Sequence, residues 1–244
     1  MNGDITSHND GDIGKLIQST KLTTQPPASM TEADTLIRWM QNLFASEEHL
    51  DCTVTCGDMT WKLSKIILTQ NPFFAAAFRK TSNFVESQTS TVTLDEEDDP
   101  IAVEVLLKHI YAWRYPYDIE KGKLTHGDLT AQDCIRIYAI GEKYQAPTLK
   151  AKMIDRFQAR MSKDIWIAHI RGSFVIDVKL VYSTTVDTDR GLRAVFAAYG
   201  AKHQTELLAN DFKQSLLTLY AECPEFGYDM AKACLSNRSS ALTA

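Results

Sequence analysis

Residues 50–68 read LDCTVTCGDMTWKLSKIIL, and this stretch decides the fold. Its first part alternates with period two, because apolar and threonine side chains take turns from Cys52 to Cys56. Gly57-Asp58 is a two-residue turn signal, and the alternation resumes from Met59 to Leu63. The pattern therefore predicts a β-hairpin that leads directly into a short helix capped by Ser64.

The rest of the chain predicts one more strand among helices. Thr31 and Asp34 have the spacing of a capping box before an apolar periodic run, so a helix precedes the hairpin. Asn71 and Pro72 open a helix after it, and a polar loop over 81–90 leads to the third strand. The predicted elements are helices over 64–70, 72–80, 101–113, 130–144 and 147–162, a strand over 91–94, and helical segments over 173–183, 190–209, 211–223 and 224–235. Strands grouped early with helices beside them predict an α+β fold rather than a doubly wound α/β fold.

The chain divides into three parts by composition. Residues 1–29 are rich in Ser, Thr, Asn, Asp and Gly, which predicts a disordered leader. Residues 30–163 hold the predicted α+β domain with its N-terminal helix. Residues 164–244 predict an all-helical C-terminal region.

Composition and charge argue against several function classes. The 244 residues have a net charge of −5, without the concentrated basic face that binds nucleic acid or an anionic membrane surface. No apolar run approaches the ~20 residues of a membrane span. Five scattered cysteines and no secretory signal predict reduced thiols, and hence a cytoplasmic or nuclear protein.

The order of elements resembles a BTB (POZ) domain over residues 50 to about 160. No single piece is specific, but the order and spacing of the pieces are. They are LDCTV at 50–54, WKLSKIIL at 61–68, NPFFAAAF at 71–78, FVES at 84–87, TVTL at 91–94, VLLKHIY at 105–111 and YAIGEKY at 138–144. The resemblance implies the BTB/POZ fold, a small three-stranded β-sheet flanked by a cluster of helices. The helical C-terminal region that follows is similar to that of many fungal BTB proteins.

The same resemblance implies two pairs of site residues. Asp51 and Lys65 occupy positions that approach each other near the family's dimer seam, either as a structural pair or as a charged pocket that reads a partner. The family usually has His where this chain has Ser64, so the chemistry of that pocket differs here. Phe84 and Glu86 fit the hydrophobic-x-Glu pattern of cullin-binding BTB domains. The alternative is that Phe84 covers the edge of the core and Glu86 caps a local turn.

The first helix carries an apolar face that needs a cover. Trp39, Met40, Leu43 and Phe44 fall at helical spacing, so either the rest of the domain or a partner must bury them. In BTB proteins the N-terminal helix is often exchanged between subunits. We therefore expect a homodimer in which these four residues contact the second copy.

No motif in the sequence predicts a catalytic, metal or cofactor site. It has no nucleophile elbow, phosphate-binding glycine loop, zincin pair or dinucleotide fingerprint. Cys52 and Cys56 share a strand face without a second cysteine pair, which predicts buried thiols rather than a zinc site. The run Asp95–Asp99 predicts a solvated, flexible loop at a helix N-terminus, the alternative being an acidic docking site. We expect no catalytic residues, no metal and no cofactor.

The resemblance therefore implies a non-enzymatic protein–protein interaction module. Its most concrete form is a substrate adaptor for a cullin-based ubiquitin ligase, with Phe84 and Glu86 at the cullin contact and the helical tail holding an unidentified client. The alternative is a dimeric scaffold or transcriptional co-regulator with no ligase link. Kelch repeats and zinc fingers, the effectors most often attached to BTB domains, are absent from this sequence.

Overall fold

The strands lie early in the chain and helices surround and follow them, as an α+β fold requires. The computed structural model describes residues 31–46, 49–79, 85–112, 129–161, 166–209 and 212–242, so the predicted leader lies outside the described residues. The elements are α1 Glu32–Ala45, β1 Cys52–Cys56, β2 Met59–Leu63, α2 Lys65–Leu68, α3 Pro72–Ala77, α4 Val85–Thr89, β3 Thr91–Thr93, α5 Pro100–Ile110, α6 Ala131–Lys143, α7 Pro147–Met161, α8 Trp166–Thr184, α9 Gly191–Lys202, α10 Gln204–Leu207, α11 Phe212–Glu222 and α12 Pro224–Leu242.

A three-stranded sheet in the order β2-β1-β3 is the centre of the first half. β1 pairs with β2 as the predicted antiparallel hairpin, with Cys52 opposite Leu63 and Cys56 opposite Met59. Gly57 makes the turn at a φ of 52°, a conformation that glycine adopts without steric cost. β3 pairs with β1 in parallel, which requires the crossover through α2, α3 and α4.

Local signals define several helix starts as predicted. Thr31 and Asp34 form the capping box of α1. Asn71 accepts hydrogen bonds from the first backbone N–H groups of α3, whose first residue is Pro72. The Asp99 carboxylate caps α5 through the backbone N–H of Ile101, and this cap was not predicted.

One predicted loop is partly helical. The stretch 81–90 was expected to be a polar loop, yet α4 occupies Val85–Thr89. The Ser90 N–H donates to the Glu86 carbonyl (3.0 Å) and the Thr89 hydroxyl donates to the Val85 carbonyl (3.0 Å). These two local bonds satisfy carbonyls at the end of a single turn, and such short-range pairing gives no apolar period from which to predict a helix.

α5 forms the middle of the core in the first half. Ala102, Val103, Val105, Leu106 and Leu107 are all buried, so this helix is covered on most of its circumference. It packs against α2 on one side and α6 on the other, and α6 packs against α7. A helix that is apolar nearly all round must lie inside the domain, which is why the strong apolar run after Pro100 marks the centre.

Helices α8, α11 and α12 of the C-terminal region pack around one aromatic residue. Phe226 of α12 is fully buried, with its ring centroid 5.9 Å from Phe174, 5.8 Å from Tyr182 and 5.9 Å from Tyr220. These residues come from α8, α11 and α12, so the ring cluster joins three helices that the sequence predicted as separate segments. Clusters of this kind contribute packing energy beyond the area that they bury.

A polar junction joins this helical region to α6 and α7. The Tyr138 hydroxyl donates to Asp189 (2.6 Å), and the Lys150 ammonium is 3.0 Å from the same carboxylate. Burial alone would raise the pKa of Asp189, but the hydrogen bonds from Tyr138 and Lys150 lower it. The carboxylate is therefore charged and paired, and it holds the turn before α9 against α6 and α7. The boundary between the α+β domain and the C-terminal region, placed between residues 163 and 164, stays a prediction.

Candidate functional site

The apolar stripe of α1 is covered at its C-terminal end and open at its N-terminal end. Leu43 is buried, and Met40 and Phe44 pack against the core. Leu36 and Trp39, on the same stripe, keep 57% and 52% of their surface exposed. The covered end is thus anchored to its own chain, while the other end presents two large apolar side chains to solvent.

Tyr111 holds the anchored end of α1 against the rest of the domain. Its ring contacts Phe44 edge to face, with centroids 5.1 Å apart. Its hydroxyl oxygen accepts a hydrogen bond from the Ser64 backbone N–H at 2.7 Å, and burial raises the pKa of Tyr111 to about 12. The Gln41 amide adds a bond to the Ala112 carbonyl at 3.4 Å. Tyr111 was missed as a site residue, because the sequence shows a tyrosine after an apolar helix but not which backbone group it meets.

Asp51 and Lys65 do come together, but through the backbone. The Asp51 carboxylate accepts a hydrogen bond from the Lys65 backbone N–H at 2.7 Å, at the first turn of α2. The predicted cap by Ser64 is wrong, since Ser64 stands at the N-cap position and makes no side-chain cap bond. Asp51, which lies directly before β1, takes the place of the Ser64 side chain as the acceptor for the unpaired backbone N–H of Lys65 at the start of α2.

The ammonium of Lys65 contacts a different element. It donates to the Ser90 hydroxyl at 2.6 Å and lies 5.3 Å above the centre of the Phe78 ring. Ser90 has a φ of 61°, and its carbonyl accepts from the Thr53 N–H of β1 at 2.9 Å. Lys65 therefore ties α2 to the residue that ends α4 and begins β3, and it supports a backbone conformation that is unusual for a residue other than glycine.

The hydrophobic-x-Glu segment is described only from its second residue onwards. Phe84, the aromatic residue of this predicted site, lies outside the described residues. Val85 and Glu86 begin α4, where Val85 is 68% exposed and Glu86 is partly exposed. α4 thus presents an apolar side chain and a carboxylate at its first turn, directly after Phe84 in the sequence.

The acidic run Asp95–Asp99 is a solvated loop at the N-terminus of α5, as predicted, with Asp95, Glu96 and Glu97 exposed, but its carboxylates also pair with residues at the end of α6. The Lys143 ammonium at the end of α6 is 2.7 Å from Asp98 and 3.1 Å from Asp95, and the Tyr144 hydroxyl also donates to Asp98. Burial would lower the pKa of Lys143, but these two carboxylates raise it. Partners more than forty residues away in the chain fix the loop, which sequence spacing alone does not reveal.

The described residues contain no group of three His, Cys, Asp or Glu side chains placed to hold a metal ion. Cys52 and Cys56 lie on the buried face of β1, and burial raises the pKa of Cys52 to about 12, so its thiol is protonated. None of the helices within the described ranges has the length and apolarity to cross a bilayer.

Comparison with known proteins agrees with this geometry. A family model described as a BTB/POZ domain matches residues 40–160. Kelch-like protein 41 of Mus musculus is 23% identical over 139 residues, which is 57% of this chain and 20% of that protein. Kelch-like protein 41 of Homo sapiens is 23% identical and that of Rattus norvegicus 22% identical over the same length. The chain thus spans about a fifth of the length of the curated relatives it matches.

Proposed function

We propose that this chain, which carries a BTB/POZ domain at residues 40–160, acts as a homodimeric adaptor that joins other proteins. BTB/POZ domains are protein–protein interaction modules. The match to this family confirms the predicted fold. The single observation that carries the dimer is the α1 stripe, on which Leu36 and Trp39 remain more than half exposed while Leu43 is buried. A second copy supplies the missing cover.

The anchoring of α1 makes this cover specific. Phe44 and Tyr111 fix the C-terminal end of the helix, so the exposed end projects at a defined angle from the domain. In a symmetric pair each copy buries Leu36 and Trp39 of the other. Two half-exposed side chains on each of two copies gain roughly 4 kcal/mol, which corresponds to about a thousand-fold in the dissociation constant.

Light scattering on the purified full chain tests the dimer. We expect twice the single-chain mass at micromolar concentration, and the single-chain mass for the double variant Leu36→Gln, Trp39→Gln. The matched control is Arg38→Gln, which places the same side chain on the exposed opposite face of α1. A wild type of single-chain mass would refute the dimer, and equal loss of the dimer in the Arg38→Gln control would refute the specific contact through Leu36 and Trp39.

The second part of the proposal is that α4 contacts a cullin scaffold. The support is the first turn of α4, which carries the exposed Val85 and the Glu86 carboxylate directly after Phe84 in the sequence. Apolar anchors supply most of the binding energy at such contacts, and a carboxylate fixes the register. The Lys65–Ser90 hydrogen bond keeps this short helix in place before the partner arrives, which reduces the entropy lost on binding.

Affinity purification from the native cell, read by mass spectrometry, tests the cullin contact. We expect a cullin with the wild-type chain and none with the double variant Phe84→Ala, Glu86→Ala. Glu97→Ala, an exposed acidic residue on the anchored loop before α5, is the matched control and should retain it. If the chain recovers itself but no cullin, the adaptor version fails and the protein is a dimeric scaffold or co-regulator.

A further inference from the structure

The terminal helix α12 is apolar on two opposite sides. Its inner side carries Phe226 and Met230, which are buried against the neighbouring helices. Its outer side carries a second set at spacings of four, three and four residues, and every member is exposed. We call this set the outer stripe, and it comprises Pro224, Tyr228, Ala231 and Leu235.

The outer stripe has the pattern of a helix–helix seam. Spacings of four and three residues keep side chains on the line along which two helices pack. Tyr228 is 71% exposed and Leu235 is 65% exposed, an unusual amount of apolar surface for one helix face in contact with water. Large and small side chains alternate along it, as interdigitating helices require.

We propose that the outer stripe is a self-association surface that binds the same stripe of a second copy in antiparallel orientation. In this register Tyr228 packs against Ala231 of the second copy, and Leu235 packs against Pro224 of the second copy. Each large side chain therefore meets a small one, twice over by symmetry. The same register brings Glu225 of each copy beside Lys232 of the other, because both flank the seam on the same side.

Charge selects this arrangement over its neighbours. Glu225 and Lys232 are both exposed on α12, so they are available to a second copy. The next antiparallel register, which faces Ala231 against Leu235, would bring the two Lys232 side chains together. In a parallel pair, Glu225 and Lys232 of one copy would lie opposite Gly227 and Cys234 of the other copy, which are uncharged. Self-complementary charges thus favour a second copy as the occupant.

The surface is small, so the contact is weak by itself. Twelve residues of helix on each copy bury on the order of 700 Å² in total, below the ~1,200 Å² of stable specific interfaces. α12 packs on α8, α9 and α11, whereas α1 packs on Tyr111 after α5, so the two surfaces belong to different parts of the chain. If the proposed α1 dimer holds, two self-associating surfaces per chain link dimers into strings or closed rings. The α12 contact itself does not depend on that dimer.

Sedimentation of the full chain over a range of concentrations tests the proposal. We expect the mass to rise with concentration beyond the α1 dimer. Glu225→Lys alone, or Lys232→Glu alone, should raise the dissociation constant of the α12 contact about five- to thirty-fold, because two attractive charge pairs become repulsive. The double exchange Glu225→Lys, Lys232→Glu should restore it. A double exchange as weak as the single variants would overturn the register and the proposal.

Two further measurements keep the result interpretable. Leu235→Gln should reduce the growth, whereas Leu217→Gln, an exposed leucine on α11, should not. The series is repeated in the Leu36→Gln, Trp39→Gln background, where a surviving α12 contact gives a monomer–dimer equilibrium with the same response to the charge variants. Failure of the α1 dimer and failure of the α12 contact are then distinguishable. A mass that does not change with concentration in either background would refute the α12 contact.

Discussion

Replacing Gly191 with alanine tests the junction between α9 and the helices α6 and α7. Gly191 is the first residue of α9 and lies directly against the Tyr138 ring. A Cβ at this position would overlap the Tyr138 hydroxyl oxygen, and it would lie 2.9 Å from Tyr138 Cζ and 3.1 Å from Ile154 Cδ1. Tyr138 is buried and holds Asp189 through its hydroxyl, so it has no space in which to move aside without losing that bond.

The expected cost follows from these contacts. Overpacking a buried site costs about 1–3 kcal/mol, and the displaced Tyr138–Asp189 hydrogen bond adds about 1 kcal/mol. Gly191→Ala should therefore reduce the free energy of unfolding by roughly 2–4 kcal/mol. For a chain of this size that corresponds to a fall in Tm of roughly 5–12 °C.

A second glycine provides the matched control. Gly227 lies inside α12, and a Cβ there would meet Tyr220 Cδ1 at 3.4 Å and Tyr220 Cβ at 3.8 Å, which are ordinary contact distances. Alanine favours a helix interior over glycine by up to about 1 kcal/mol. Gly227→Ala should thus leave the protein as stable as the wild type or raise its free energy of unfolding by about 0.5–1 kcal/mol.

Urea unfolding followed by circular dichroism measures both variants, with the thermal midpoint as a second readout. The double variant Tyr138→Phe, Gly191→Ala should lose less stability than the sum of its single variants, because the closest overlap is with the hydroxyl that Phe lacks. A Gly191→Ala protein as stable as Gly227→Ala would refute the packing of α9 against α6.

Two further predictions concern buried polar groups. Tyr111→Phe leaves the Ser64 N–H without its acceptor, and urea unfolding should show a loss of about 1–3 kcal/mol, whereas the exposed Tyr228→Phe should show none. His109 has its pKa lowered to about 4 by burial and then by the charge of Lys152. The unfolded chain takes up this proton first, near pH 6.5, so the contribution of His109 is full above that pH and is lost as the pH falls towards 4. Protonation of His109 therefore lowers the free energy of unfolding by at most about 3 kcal/mol between pH 6.5 and pH 4. His109→Gln should lack this loss, and wild-type and variant curves of unfolding free energy against pH that run parallel would contradict the assignment.

The sequence predicted what depends on residues a few positions apart. The capping box of Thr31 and Asp34, the hairpin around Gly57 and the start of α3 at Pro72 each need only neighbours within a turn, and all three are confirmed. The α1 stripe belongs to this class as well, although the spacing did not reveal that its two ends differ in exposure. Leu36, which was not among the predicted dimer residues, is at least as exposed as Trp39.

What failed depends on residues far apart in the chain. Ser64 has the right chemistry to cap α2, but Asp51 occupies the capping geometry because the hairpin brings it there. The acidic loop is solvated as predicted, but its pairing with Lys143 was not predicted, because Lys143 lies at the end of another helix. Spacing along the sequence contains no information on which of several competent side chains reaches a given backbone group.

Lys65 and Glu86, one residue from each predicted site pair, are linked through Ser90, and this link bears on what Lys65 does. Its ammonium donates to Ser90 and lies over the Phe78 ring, so these contacts must break before it reads a partner's charge. Ser90 in turn closes α4, whose first turn carries Glu86. This arrangement favours the structural interpretation of Lys65 over the partner-reading pocket. It also means that a Lys65 variant disturbs α4, so only variants in the α4 segment itself report cleanly on a cullin contact.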